Sequence, residues 1–201
     1  MADYDSFFQG QQEGERILFV IYPHPIAEYV NYVKLVGIAL VLMISFIFLG
    51  NIHPSFPLFG VFLAVAVFGI GALIVHTMQS KNIAYLTDRR IIRFESSNIF
   101  AVNSRALSWD DTVKVKTFPP NFLWRMFNIG TVTVHARSTM VHIDTQQQQN
   151  TWSNDDLDLH NVYYYKDLGN YIDKIIYLNK HNPQELQSLH PFVPKPKGQR
   201  Y

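Results

Sequence analysis

Two long stretches without an ionised side chain constrain this sequence more than anything else in it. Leu35 to Ile52 and Phe56 to Met78 contain no Asp, Glu, Lys or Arg. Each is about as long as a helix must be to cross a hydrocarbon layer of roughly 30 Å. A core helix of a soluble domain carries charge on its solvent side every three or four residues. "LVGIALVLMISFIFLG" and "LFGVFLAVAVFGIGALIV" are apolar all round, the pattern of helices surrounded by lipid. The connector "NIHPSFP" holds two prolines, which stop a helix and favour a tight reversal. The expectation is a segment 1–29 followed by a transmembrane hairpin at 30–80, with spans at about 33–52 and 57–78.

Small residues offer a seam between the spans. Gly60, Ala64, Gly69, Gly71 and Ala72 on the second would allow close approach to Gly37 and Ala39 on the first. Tyr29, Tyr32 and Lys34 stand where an interfacial belt precedes a span. Arg16 and Lys34 lie before the hairpin and Lys81, Arg89, Arg90 and Arg93 after it, whereas the connector has no lysine or arginine. The positive-inside rule then places both termini in the cytoplasm. The first apolar run starts too far in and has an acidic lead, so it is not expected to be a cleaved signal peptide.

The 201 residues leave room for one ordinary domain beyond the hairpin. A net charge of +1 excludes a nucleic-acid binder that works by neutralising many phosphates. With no cysteine there is neither a disulfide framework nor a thiolate site. Beyond Gln79 the pattern becomes that of half-buried antiparallel strands. Ile92 and Phe94 alternate with Arg93 and Glu95, Val113 and Val115 with Lys114 and Lys116, and Val132 and Val134 with Thr133 and His135. In "YYKDLGNYIDKIIYLNKH", Leu168, Tyr171, Ile172, Ile175 and Leu178 recur at helical spacing, which gives an amphipathic helix with one face to bury. Strands followed by one such helix make an α+β module. The residues from 182 to 201 are rich in proline and polar side chains and are expected to be irregular.

In order, the chain carries "EGERILFVIYPHP", the hairpin, "YLTDRRIIRF", "LSWDDTVKVKTF", "NFLWRMFNIGTVTV" and the amphipathic helix. From about residue 15 to residue 180 this resembles the bacterial pleckstrin-homology-like membrane proteins of the YdbS type. That family joins its first two strands by a "T-(N/D)-x-R" corner, matched by Thr87, Asp88 and Arg90. It opens a later strand with "G-T-V", matched by Gly130 and Thr131. The resemblance implies a pleckstrin-homology-like antiparallel β-sandwich or open barrel over 81–181, closed by a C-terminal amphipathic helix, with no enzymatic activity and no cofactor. The polar stretch 145–160 and the tail lie outside the family pattern.

Three candidate sites follow. The corner Asp88-Arg89-Arg90 is explained as turn chemistry, since Asp88 can accept hydrogen bonds from its own turn. Lys81, Arg89, Arg90 and Arg93 also lie close to the membrane exit, where anionic headgroups attract basic residues. If Ser138 and Thr139 form a hairpin turn, Val134 pairs with Ile143 and His135 with His142, and Asp144 shares their face. That set could ligate a divalent metal, but histidines on a solvated strand are the ordinary explanation and no metal site is expected. Asp155, Asp156 and Asp158 read as a solvated loop. Phe122, Leu123, Trp124 and Phe127 form an aromatic turn that either dips into a membrane interface or packs beneath the sheet. The expected function is a cell inner-membrane protein that anchors a non-catalytic domain for a protein partner or for self-assembly. The alternative is a sensor of anionic membrane lipids.

Overall fold

The computed structural model describes residues 7–137 and 156–194. They fall into two compact units. One takes His24–Asn82 and Ser96–Asn103, the other Met1–Pro23, Ile83–Glu95 and Ser104–Tyr201.

The first unit is built on two helices, α1 (Ile26–Leu49) and α2 (Phe56–Gln79). Both are long and apolar enough to cross a membrane. Pro57 sits in the first turn of α2, where its missing N–H costs nothing. No residue of α1 is buried, and only Gly60 and Ala64 are buried in α2. Val41, Phe48, Phe62 and Leu73 are each at least 65% exposed. Among the described residues protein buries little of this apolar surface completely, and each Å² left in water forgoes about 25 cal/mol.

Helix α1 both starts and ends earlier than the expected span, because Pro25 supplies a fixed φ at the helix entrance and Glu28, Tyr29 and Tyr32 are compatible with a helical turn, whereas α2 lies within one residue of expectation. The seam is also different. A Cβ on Gly60 would run into Phe46, and one on Gly71 would lie 2.7 Å from Leu35. Gly37 and Gly69 have nothing within 4 Å. Large side chains of α1 fill gaps at glycines of α2, so glycine does not face glycine. Beyond α2, Lys81 Nζ donates to the Ile99 carbonyl and Ser96 N–H to Asn82 Oδ1, which ties the turn at 97–101 to the end of the helix.

The second unit contains two antiparallel sheets. One has the order β1 (Ile17–Ile21), β2 (Ile83–Thr87), β3 (Arg90–Ser96), β4 (Val102–Ser108), where β4 starts within the helical unit. The other has the order β5 (Thr112–Phe118), β6 (Ile129–Ala136), β7 (Leu157–Tyr163). Leu18, Leu86, Ile91, Trp109, Val132, Val134, Leu168, Ile172 and Ile175 are core residues at most 1% exposed. The core side of α4 (Tyr165–His181) follows the expected periodicity: Leu168, Ile172 and Ile175 are fully buried. Two close approaches seat it. A Cβ on Gly169 would strike Thr117, and one on Gly130 would strike the Tyr165 ring.

Two boundaries move. Residues 1–29 are not merely a segment before the membrane, because β1 pairs with β2, Val20 opposite Tyr85 and Ile21 opposite Ala84. The α1–α2 hairpin is therefore inserted between two neighbouring strands, and the domain does not begin at 81. The tail is not irregular throughout. Pro183–Gln187 form a short helix, α5, with Leu186 buried. Phe192 is buried as well: its N–H bonds the Leu18 carbonyl at 3.1 Å and its ring packs on Phe19 and Tyr171. A few apolar residues among the prolines suffice to dock this stretch onto the core.

Candidate functional site at the first strand turn

The β2–β3 turn is organised by Thr87, which is fully buried. Its Oγ1 accepts from the N–H groups of Arg89 (3.2 Å) and Arg90 (3.0 Å) and lies 2.8 Å from Glu15 Oε1 and from the Arg90 carbonyl, its two possible acceptors. Asp88 extends the β1–β2 ladder with its side chain. The Arg16 N–H donates to Asp88 Oδ1 at 3.0 Å, and the Asp88 N–H donates to the Arg16 carbonyl at 3.1 Å. Trp109, 1% exposed, donates its indole N–H to the Thr87 carbonyl at 3.1 Å.

Glu15 is the central residue, and the sequence reading did not single it out. Its side chain is completely buried and meets Arg90 in a two-pronged ion pair, Nε to Oε1 and Nη2 to Oε2, both at 3.0 Å. The Gln12 N–H adds a third bond at 2.8 Å, and Arg90 Nη2 reaches the Gly10 carbonyl. Burial on its own pushes the Glu15 carboxyl upward. The bonds from Arg90, Gln12 and Thr87 together with the Arg90 charge outweigh it, and the group titrates below the ordinary carboxylate range. Arg90 is shifted upward, through its bonds to Glu15. A carboxylate beside "GERILF", directly before an apolar strand, was the only hint in the sequence. No local pattern names a partner so far along the chain.

The four expected headgroup residues are placed unequally. Arg90 is committed to Glu15. Arg93 pairs with Glu95 at 2.8 Å and donates to the Asp158 carbonyl, joining β3 to β7. Lys81 belongs to the helical unit and holds the Ile99 carbonyl. Arg89 is exposed, and its side chain bonds Gln12 Oε1 at 3.2 Å. A cleft of ≈ 520 Å³ opens beside it, lined by Arg16, Asp88, Asn179 and Leu186 among others.

Of the expected histidine hairpin only the first strand is described, and there Val134 is flanked by Val115 on one side and Leu157 on the other. His135 lies opposite Lys114, and its Nδ1 is 2.7 Å from Asp156 Oδ2. His142 and Asp144 lie outside the described residues, as does Asp155. Among the described residues no group of three potential ligands could hold a metal. Asp156 and Asp158 are not a solvated loop: Asp156 also accepts from the Ala136 N–H, and Asp158, in β7, accepts from Thr133 at 2.6 Å. Gly130 and Thr131 are both buried, and Gly130 serves the Tyr165 contact.

The aromatic turn does not pack beneath the sheet as a whole. Asn121 caps the short helix α3 (Phe122–Met126) by accepting from the Trp124 N–H, and the Trp124 indole donates to Asn161 at 2.7 Å. Phe122, Leu123, Met126 and Phe127 are 53–72% exposed.

No family model, curated protein or solved structure matches the chain. The fold and the corner define an α+β chain with two apolar helices inserted into an antiparallel sheet.

Proposed function

We propose that the chain is a non-catalytic integral membrane protein whose hairpin holds a pleckstrin-homology-like domain at the cytoplasmic face of a bacterial inner membrane, where the domain serves a protein partner or self-assembly. Sheets of four and three strands with α4 on the second support the domain reading, alongside the "TDRR" and "GTV" resemblance. The pairing of β1 with β2 supports a hairpin whose two ends emerge on one side of the bilayer. The positive charges that flank it favour the cytoplasmic side.

The observation that carries the choice of function is the closed corner. Arg90 and Arg93, half of the basic set that would meet headgroups, are bound within the domain. The lipid-sensing alternative keeps one specific observation in its favour, the cleft bordered by exposed Arg89.

Reconstitution of the full chain into nanodiscs of neutral or anionic lipid, with mass measured by light scattering and crosslinking, tests the choice. Self-association, or capture of a defined partner, that is equal in both lipids and survives Arg89→Gln supports surface display. A monomer in both, whose retention of anionic lipid is lost with Arg89→Gln, would give the function to lipid sensing.

A further inference from the structure

We infer that the outward face of α3 is a wedge that inserts into the headgroup and acyl boundary of an anionic bilayer, so that the domain is held to the membrane by this surface in addition to its hairpin. The inference rests on the reading that α1 and α2 cross a membrane.

Short amphipathic helices in globular domains turn their polar side outward. Here large apolar side chains face outward as well. Phe122 and Met126, like Leu123 and Phe127, fall four apart, and these side chains form an exposed apolar patch. Phe118, at the end of β5, is 39% exposed. The inward side is fully used, because Trp124 is fixed to Asn161 and Asn121 caps the helix. The local sequence enforces this arrangement. Pro119 and Pro120 end β5, and Asn128 takes a positive φ of 57° to start β6. The helix between them is too short to rotate its large residues into the core.

Charge selects the occupant. From Thr112 to Asn128 the charged side chains are Lys114, Lys116 and Arg125, with no Asp or Glu. Arg125 lies on α3 itself, and Lys116 Nζ lies 5.5 Å from the centre of the Phe118 ring. Apolar side chains accompanied by Arg125 and Lys116 have the composition of an interfacial anchor on anionic lipid. Residues 22–25 and 80–82 join the spans to the sheets, and each residue extends by at most about 3.6 Å. The patch therefore meets the bilayer surface at high effective concentration.

The chain has no cysteine, so single labels can be placed at will. Nitroxides at Leu123→Cys, Met126→Cys, Lys174→Cys and Val65→Cys are compared in the full chain, in phosphatidylcholine–phosphatidylglycerol nanodiscs, by collision with oxygen and with a nickel chelate. At 123 and 126 nickel accessibility is expected to fall several-fold below that at exposed Lys174, while oxygen accessibility rises toward that at Val65 in α2. Adding Phe122→Ser and Phe127→Ser should return the label at 126 to nickel, with the circular dichroism spectrum unchanged. Labels at 123 and 126 as nickel-accessible as that at 174 would overturn the inference. So would protection from both reagents, which marks a cover of protein. An aqueous Val65 would overturn the membrane reading itself, so the two failures are distinguishable.

Discussion

The β2–β3 corner and α3 are both short turns between strands, and they treat their conspicuous residues in opposite ways. The corner has the charged sequence, yet it draws Arg90 inward onto a fully buried carboxylate and ties β1, β2 and Trp109 together. α3 has the apolar sequence, yet it leaves Phe122, Leu123, Met126 and Phe127 in the open. Charge does not guarantee surface, and greasiness does not guarantee core. What decides is whether a partner of the right shape exists within the fold. Glu15 is that partner for Arg90. No pocket of the sheet takes the α3 side chains, because Trp124 already occupies the inward direction.

The contrast is broken or sharpened most strongly at Glu15. Glu15→Ala leaves Arg90 without its counter-charge in a largely enclosed site, and unfolding of the full chain in detergent should show a loss of about 3 kcal/mol. A loss below about 0.5 kcal/mol would mean the corner is not closed. Next in size is the helix seat. Gly169→Ala forces a methyl against Thr117 and should cost about 1–3 kcal/mol, with part of that recovered on adding Thr117→Ser, which removes the opposing methyl.

Acid gives a third test. Because the folded state holds the Glu15 carboxyl below its ordinary 4.5, the ionised pair contributes its full stability above that pH. The contribution is lost as pH falls below 4.5 through the folded value, where the unfolded chain binds the proton first. Thermal melts from pH 6 downward should show a fall in the wild type that is shallower in Glu15→Gln.

The smallest effects belong to α3 and to Arg89. Leu123→Ser, Met126→Ser and Arg89→Ala touch outward side chains and should each leave stability in detergent within about 0.5 kcal/mol. A large loss from either serine would show that α3 is packed after all.

The sequence makes some of this legible and hides the rest for physical reasons. The spans are written in composition, since lipid demands apolar residues on every face. Residues 168, 172 and 175 are written in periodicity, since a helix on a sheet buries one stripe. Thr87 and Asp88 were readable as turn chemistry. The Glu15–Arg90 pair was not, because the α1–α2 insertion separates its members and a lone buried acid has no local signature. The partners of His135 and Val134 were hidden for a related reason. A two-residue turn was assumed, whereas β6 is the central strand and both its edges are taken. The docking of the stretch 183–192 was missed because Leu186 and Phe192 are isolated apolar residues among prolines, with no period to reveal them.

Arg90, paired with a fully buried carboxylate, belongs to the fold and not to the membrane. A double-mutant cycle of Glu15→Gln and Arg90→Met, measured by denaturant unfolding of the full chain in neutral and in anionic nanodiscs, tests it most directly. A coupling of about 2 kcal/mol, the same in both lipids, is expected. Additivity in both would contradict it, and so would a coupling that vanishes when anionic lipid is present.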